Sequence, residues 1–170
     1  MVHTIELVFD PATESAVRQL CGELVAAGIP SQAPAARPHV TMVVAGRIGA
    51  EVDALLLPLS RRMPLGCTIG APVLFGRGSA VLARLVVPTA ELLALHADVH
   101  RQCLSHLVGD PAPNSVPGQW TAHVTLARRV HGAQLGRAVR IAGRPAQLSG
   151  GFAGLRRWDG DKRVEHLIGH

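Results

Sequence analysis

The stretch Pro38-His39-Val40-Thr41-Met42-Val43 returns in outline as Ala122-His123-Val124-Thr125-Leu126-Ala127, so two histidines stand 84 residues apart in a chain of 170. A repeat at half the chain length points to internal duplication. Side chains alternate along a strand, so the histidine and threonine of each stretch share one face and the intervening apolar residues share the other. Each strand therefore turns an apolar face to a core and an imidazole with a hydroxyl to the opposite side.

Outward from these strands the two halves follow one order. Residues 2–9 alternate as a half-buried strand, and Asp10-Pro11 opens a helix to about residue 27, with Val17, Leu20, Cys21, Leu24 and Val25 at helical spacing. Gly28-Ile29-Pro30 stops it. A Pro/Ala linker over 31–37 leads into the strand at 38–45, a short helix at about 50–62, and strands near 66–75 and 80–87 around the turn Gly76-Arg77-Gly78. The second half then gives Thr89 as helix N-cap and a helix over about 90–107, with Leu92, Leu93, Leu95, Val99, Cys103 and Leu104 available for its buried stripe. A Pro/Gly-rich loop at 109–118, a strand at 119–127, a helix at 131–142 and two strands around Trp158-Asp159-Gly160 complete it. This order predicts an α+β protein, one bilobal domain over residues 1–170 with the His39 motif in its first half and the His123 motif in its second.

The composition fits one substantial core, at 48% hydrophobic residues, and a net charge of +5 predicts a surface that attracts anions such as phosphates or nucleic acid. Only Lys162 among the 17 basic residues is a lysine, which looks as much like coding bias as a selected basic patch. Cys21, Cys67 and Cys103 are odd in number and form no C-x-x-C pair, so reduced, largely buried thiols are expected rather than a disulfide framework or thiolate zinc site. The N-terminal residues do not read as a signal peptide, and no apolar run reaches the roughly 18 residues that span a bilayer. A soluble cytoplasmic protein with no membrane partner is expected.

If the two lobes face each other about a pseudo-two-fold axis, His39, Thr41, His123 and Thr125 line one cleft. Histidine alone supplies both a base and an acid near neutral pH. One imidazole can take a proton from water or a ribose hydroxyl, the other can give one to the departing oxygen, and the threonines can donate hydrogen bonds to nonbridging phosphate oxygens. Such a site calls for no metal and no cofactor.

On these motifs the chain resembles the 2H phosphoesterase superfamily, named for its paired His-x-Thr/Ser-x motifs, and within it the 2'-5' RNA ligase and cyclic phosphodiesterase branch. The resemblance implies two antiparallel sheets lining a central cleft with helices outside, and His39, Thr41, His123 and Thr125 as catalytic residues, with His123 as base and His39 as acid, or the reverse. It further implies hydrolysis of a 2',3'-cyclic phosphate or 2'-5' linkage by a monomer acting on a nucleotide or RNA end. A phosphate-binding protein without turnover is the alternative. Val43 and Val44 follow the first motif where many members of the branch carry an arginine, whereas Arg128 follows the second and is expected to contact phosphate. Trp120 is expected to pack near the cleft mouth and touch substrate. With only Phe9, Phe75, Phe152, Trp120 and Trp158 as aromatics, a small nucleotide fits at least as well as long RNA.

Other features read more plainly. His96, His100 and Cys103 lie along one helix and are expected to form a partly exposed amphipathic face rather than a metal site. His3, His106, His131, His166 and His170 belong to no constellation. Gly76-Arg77-Gly78-Ser79 reads as a hairpin turn and Arg156-Arg157 as a charged edge. The loop 109–118 is the candidate for a mobile substrate lid.

Overall fold

The computed structural model describes residues 1–31, 36–76 and 78–169. Most of the linker at 31–37, the centre of the Gly76-Arg77-Gly78 turn, and His170 lie outside these residues. The first half contains β1 (His3–Phe9), α1 (Pro11–Ala26), β2 (His39–Ala45), β3 (Arg47–Ile48), α2 (Val52–Ser60) and β4 (Leu65–Phe75). The second contains β5 (Ala80–Val86), α3 (Ala90–Cys103), β6 (Leu107–Val108), β7 (His123–Val130), α4 (Gly132–Ala142), β8 (Leu148–Asp159) and β9 (Val164–Ile168). The expected α+β class and element order are present.

Local signals set the helix starts. Asp10 accepts a hydrogen bond from the Thr13 amide at 2.8 Å, with Pro11 in the first turn, and the Thr89 hydroxyl accepts from the Leu92 amide at 3.1 Å. The α3 stripe corrects the expectation. Leu93 and Leu104 are exposed, while His96 and His100 are buried. From Leu92 the helical period runs through Leu95, His96, Val99, His100 and Cys103, so geometry places both imidazoles inside and Leu93 outside.

Seven strands pair in the order β1-β2-β7-β5-β4-β8-β9, and β1 also pairs with β8, which closes six of them into a circuit. Long β8 serves two partners: Leu148–Phe152 run along β4, whereas Phe152–Trp158 run along β1. The seven strands thus form one large antiparallel sheet with two arms, β2-β1-β8-β9 and β7-β5-β4-β8, joined through β8, and the second sheet is a small one of β3 with β6. The other meeting point of the two arms is narrow, a single antiparallel register pair of Val40 with Val124. Helices α2 and α3 pack together over β2, β8 and β9, and α1 and α4 over β5 and β7. Val40, Met42, Val124 and Leu126 point into this core, all at most 1% exposed.

Arg84 on β5 is fully buried without a carboxylate. Its guanidinium donates to five backbone carbonyls, those of Gly70, Ile69, Ala142, Pro145 and Ala146, tying the C-terminal end of α4 to β4. The loop 109–118 is pinned rather than arched over the cleft. The Ala112 amide donates to the Val44 carbonyl at 2.9 Å, and buried Ser115 donates to the Ala112 carbonyl at 2.8 Å while its own carbonyl lies 3.0 Å from His96 Nε2. Among the described residues, no helix is long and apolar enough to cross a membrane.

Candidate functional site

The Val40–Val124 pair sets the geometry of both motifs. Extending that antiparallel register by one residue places His39 across from Thr125 and Thr41 across from His123, on the face opposite the core. The flanking strands continue the pattern. Val8 and Glu6 of β1 pair with His39 and Thr41, and Leu85 and Ala83 of β5 pair with His123 and Thr125. Each flank also slips register at the corresponding place, between Ile5 and Glu6 and between Leu82 and Ala83, opposite Met42 and Leu126. The same irregularity therefore falls on both flanks of the paired motif strands.

Both imidazoles are oriented by the same device. His39 Nδ1 lies 2.8 Å from the Arg37 carbonyl and His123 Nδ1 lies 2.7 Å from the Thr121 carbonyl. A carbonyl only accepts, so these short contacts favour a proton on Nδ1 in each ring, at His39 against the Arg156 Nη2 donor 3.3 Å from the same nitrogen, and leave Nε2 as the nitrogen presented for chemistry. Beyond that the sites diverge. His39 Nε2 faces a Glu6 carboxylate oxygen at 3.5 Å. His123 packs against the Phe75 ring at 4.5 Å between centroids. Burial holds the His123 pKa below its ordinary value, with the His39 and Arg128 charges adding to the effect against the Thr121 hydrogen bond.

A cleft of about 560 Å³ opens on the β1-β2 side, lined by His39, Thr41 and Arg128 together with Glu6, Arg37, Arg156, Trp158 and Glu165. The four motif residues do not all line this cleft: Thr125 lines a neighbouring pocket of about 300 Å³ that shares Ala36 with it, and His123, on the adjoining strand, is among the lining residues of neither. Arg128 reaches the cleft at a register shift where β7 passes β5, and Arg129 beside it takes a left-handed φ of 58°. Arg156 is buried between two carboxylates, with Nε 2.6 Å from Glu6 and Nη1 2.6 Å from Glu165. Thr4 donates to the other side of the Glu6 carboxylate at 2.5 Å.

Trp120 takes a different place from the one its sequence position suggested. It is not among the cleft-lining residues; its indole stacks on His96 with centroids 3.9 Å apart, and Nε1 donates to the Thr41 carbonyl at 2.8 Å. His96 Nε2 is engaged by the Met42 and Ser115 carbonyls, and burial lowers its pKa, so this ring is a neutral bracket between α3, β2 and the 109–118 loop. The tryptophan in the cleft is Trp158, with the Arg156 guanidinium 5.9 Å from its ring centre.

A family model described as the 2'-5' RNA ligase superfamily matches residues 9–162. The chain belongs to this superfamily. As a 2H phosphoesterase it is similar in fold to the TT0787 protein of Thermus thermophilus, at TM-score 0.61 and 17% identity over 99% of this chain and 95% of that one. It is also similar to Kluyveromyces marxianus Usb1, at TM-score 0.56 and 10% identity over 98% and 97% of the two chains. E. coli LigT complexed with 3'-AMP aligns at TM-score 0.55 and 15% identity over 98% and 92%. No curated protein matches the sequence.

In this 2H phosphoesterase the motif residues were visible in sequence because strand alternation and repetition are local. Glu6, Arg37, Arg156, Trp158 and Glu165 were not assigned to the site. Glu6 carried one signal: a carboxylate inside the apolar run Ile5-Glu6-Leu7-Val8-Phe9 needs a buried partner. Arg156, read as part of a charged edge, is that partner at 6% exposure. His3 also gains neighbours, with Nε2 3.0 Å from Asp161 and 3.4 Å from Asp159 at the cleft rim. The N-terminal amine binds Asp161 at 2.8 Å and helps hold that carboxyl down at about 2.

Proposed function

We propose that this protein is a phosphodiesterase that opens a 2',3'-cyclic phosphate, or cleaves a 2'-5' linkage, at the end of a nucleotide or RNA, using His39, Thr41, His123 and Thr125. One observation carries the reading: two imidazoles on paired strands are each fixed through Nδ1 to the carbonyl two residues upstream, and the first of them, His39, lines a cleft with three arginines. Water attacks phosphorus as one neutral Nε2 takes its proton. The bond from phosphorus to one ribose oxygen breaks, and the protonated second imidazole delivers its proton to that oxygen. Thr41 and Thr125 hydroxyls and Arg128 meet the charge that builds on the nonbridging oxygens. The histidines supply both proton transfers, so no step calls for a metal.

The cleft favours a compact ligand. Its roughly 560 Å³ suits a nucleotide-sized group, and Trp158 offers one stacking face. Solved relatives are described in complex with 3'-AMP, uridine monophosphate and NADP+, which supports a nucleotide ligand here.

The test is hydrolysis of 2',3'-cyclic nucleotides and of RNA ending in a cyclic phosphate, in excess EDTA, with the product isomer identified. Wild type is expected to turn over, and His39→Ala and His123→Ala each to lose about 10²–10⁴-fold while keeping the wild-type circular dichroism. Full activity in either variant, or binding of RNA ends with no product from wild type, overturns the reading.

A further inference from the structure

The threonines of the two motifs open onto different cavities. Thr41 lines the cleft of about 560 Å³, Thr125 lines the pocket of about 300 Å³, and Ala36 borders both, so the cavities meet beside the paired strands. A phosphodiester carries one organic group on each side of phosphorus. We infer that the Thr125 pocket is a second nucleoside site, which takes the base joined across the phosphate from the nucleotide in the cleft. This inference rests on the phosphodiesterase reading above and deepens it, because it makes an ester of two nucleosides a better substrate than a cyclic mononucleotide.

The motif geometry divides the ligand in this way. Thr41 and Thr125 lie on one face, diagonally across the Val40–Val124 pair. A phosphate held by both hydroxyls therefore sits at the boundary of the cavities, with one ester substituent directed to each.

The lining of the pocket has the chemistry of a base site. Cys21, Gly22 and Val25 come from α1, Ala36 and Pro38 from the segment before β2, and Thr125 from β7, with Arg18 as the charged group among the described lining residues. The polar groups beside it are already engaged. The Ser31 hydroxyl donates to the Leu126 carbonyl at 2.6 Å, and the Cys21 thiol approaches the same carbonyl at 3.7 Å. What remains is largely apolar surface with a guanidinium at its edge, a combination that accepts the face of a heteroaromatic ring. Glu14 orients that guanidinium, with Arg18 Nη2 2.9 Å from its Oε1. A volume of about 300 Å³ lies at the lower end of the range for small-molecule sites, the scale of a base with its ribose.

Two positions on α1 leave the pocket open. Gly22 sits inside the helix, where glycine is unfavourable relative to alanine, yet a Cβ there would meet nothing within 4 Å. Packing within the protein therefore does not call for glycine, and the missing side chain keeps space for a ligand. Val25, one turn further on, is an apolar side chain left 57% exposed. A base seated in the pocket covers it.

The test compares kcat/KM for adenylyl-2',5'-adenosine and for 2',3'-cyclic AMP in wild type and in Gly22→Phe, whose ring fills the pocket. The ratio of the first to the second is expected to fall about tenfold in the variant, the scale of one lost base-stacking contact. A wild type that turns over the cyclic mononucleotide alone, an unchanged ratio in the variant, or equal loss on both substrates overturns the inference. NMR of wild type covers the case in which Gly22→Phe does not fold. With the phosphorothioate form of the dinucleotide, which resists turnover, the Val25 methyl signals are expected to move upfield in the ring current of a base. With 2',3'-cyclic AMP they are expected to stay in place. Val25 signals that ignore the dinucleotide, or answer both ligands alike, overturn the inference. If wild type hydrolyses neither compound, the function reading fails instead, and the Val25 signals still test the pocket.

Discussion

At the scale of single residues, the difference between His39 and His123 is a difference of surroundings imposed on equal side chains. His123 owes its lowered pKa first to burial, and the Phe75 ring is an apolar group packed against it at an interplanar tilt of 46°. On the proposed mechanism an imidazole with a lowered pKa stays neutral, and so able to act as the base, over a wider range of acidic pH. Phe75→Ala admits water to the ring and removes part of the desolvation, so the His123 pKa is expected to rise toward its ordinary value. The acidic limb of kcat/KM should then move up in pH by about half a unit, with the alkaline limb fixed. A pH–rate profile from about pH 5 to 9 checks this, and a moved alkaline limb would place Phe75 against the acid instead.

At the scale of elements, Arg84 shows how strongly one side chain can set the position of a helix. It satisfies carbonyls on β4, at the end of α4 and in the following turn, and the cation also complements the negative end of the helix dipole. Arg84→Met keeps bulk and removes every donor, leaving buried carbonyls unpaired at about 1–3 kcal/mol each. Loss of at least about 3 kcal/mol is expected, read as a lower urea midpoint with an unchanged slope. Nothing in the sequence announces this residue, because its five acceptors come from segments well removed along the chain. The helix starts at Asp10 and Thr89 were legible because a cap and its amide lie three residues apart. The ladder of β3 with β6 was not, since two-residue strands carry no period to read. Residues 119–122 read as strand but form a turn and extended segment before His123, where Trp120 leaves the sheet to stack on His96.

At the scale of the whole molecule, the sequence repeat and the structural halves are different partitions of the chain. Repeat order correctly gave the succession of strands and helices, but it is silent on which repeat each partner comes from. Here the partners are exchanged. β1 of the first repeat pairs with β8 of the second, and β4 of the first lies between β5 and β8 of the second. The helices follow suit, with α1 packed against α4 and α2 against α3. The shared strand also demands close approach: a side chain at Gly150 in β8 would collide with Thr13 Oγ1 of α1, and so would displace the first helix from the last long strand. Neither repeat can therefore bury its apolar faces alone, and the motif strands β2 and β7 meet only when both are present. Residues 1–78 and 79–170 expressed separately are expected to give far-UV circular dichroism of unfolded chains without a cooperative urea transition. Co-expressed, they should associate and regain both the transition and any hydrolytic activity of the intact protein. A cooperative transition in either fragment alone would show instead that a repeat folds by itself, and that the exchanged strands are an embellishment of two independent cores.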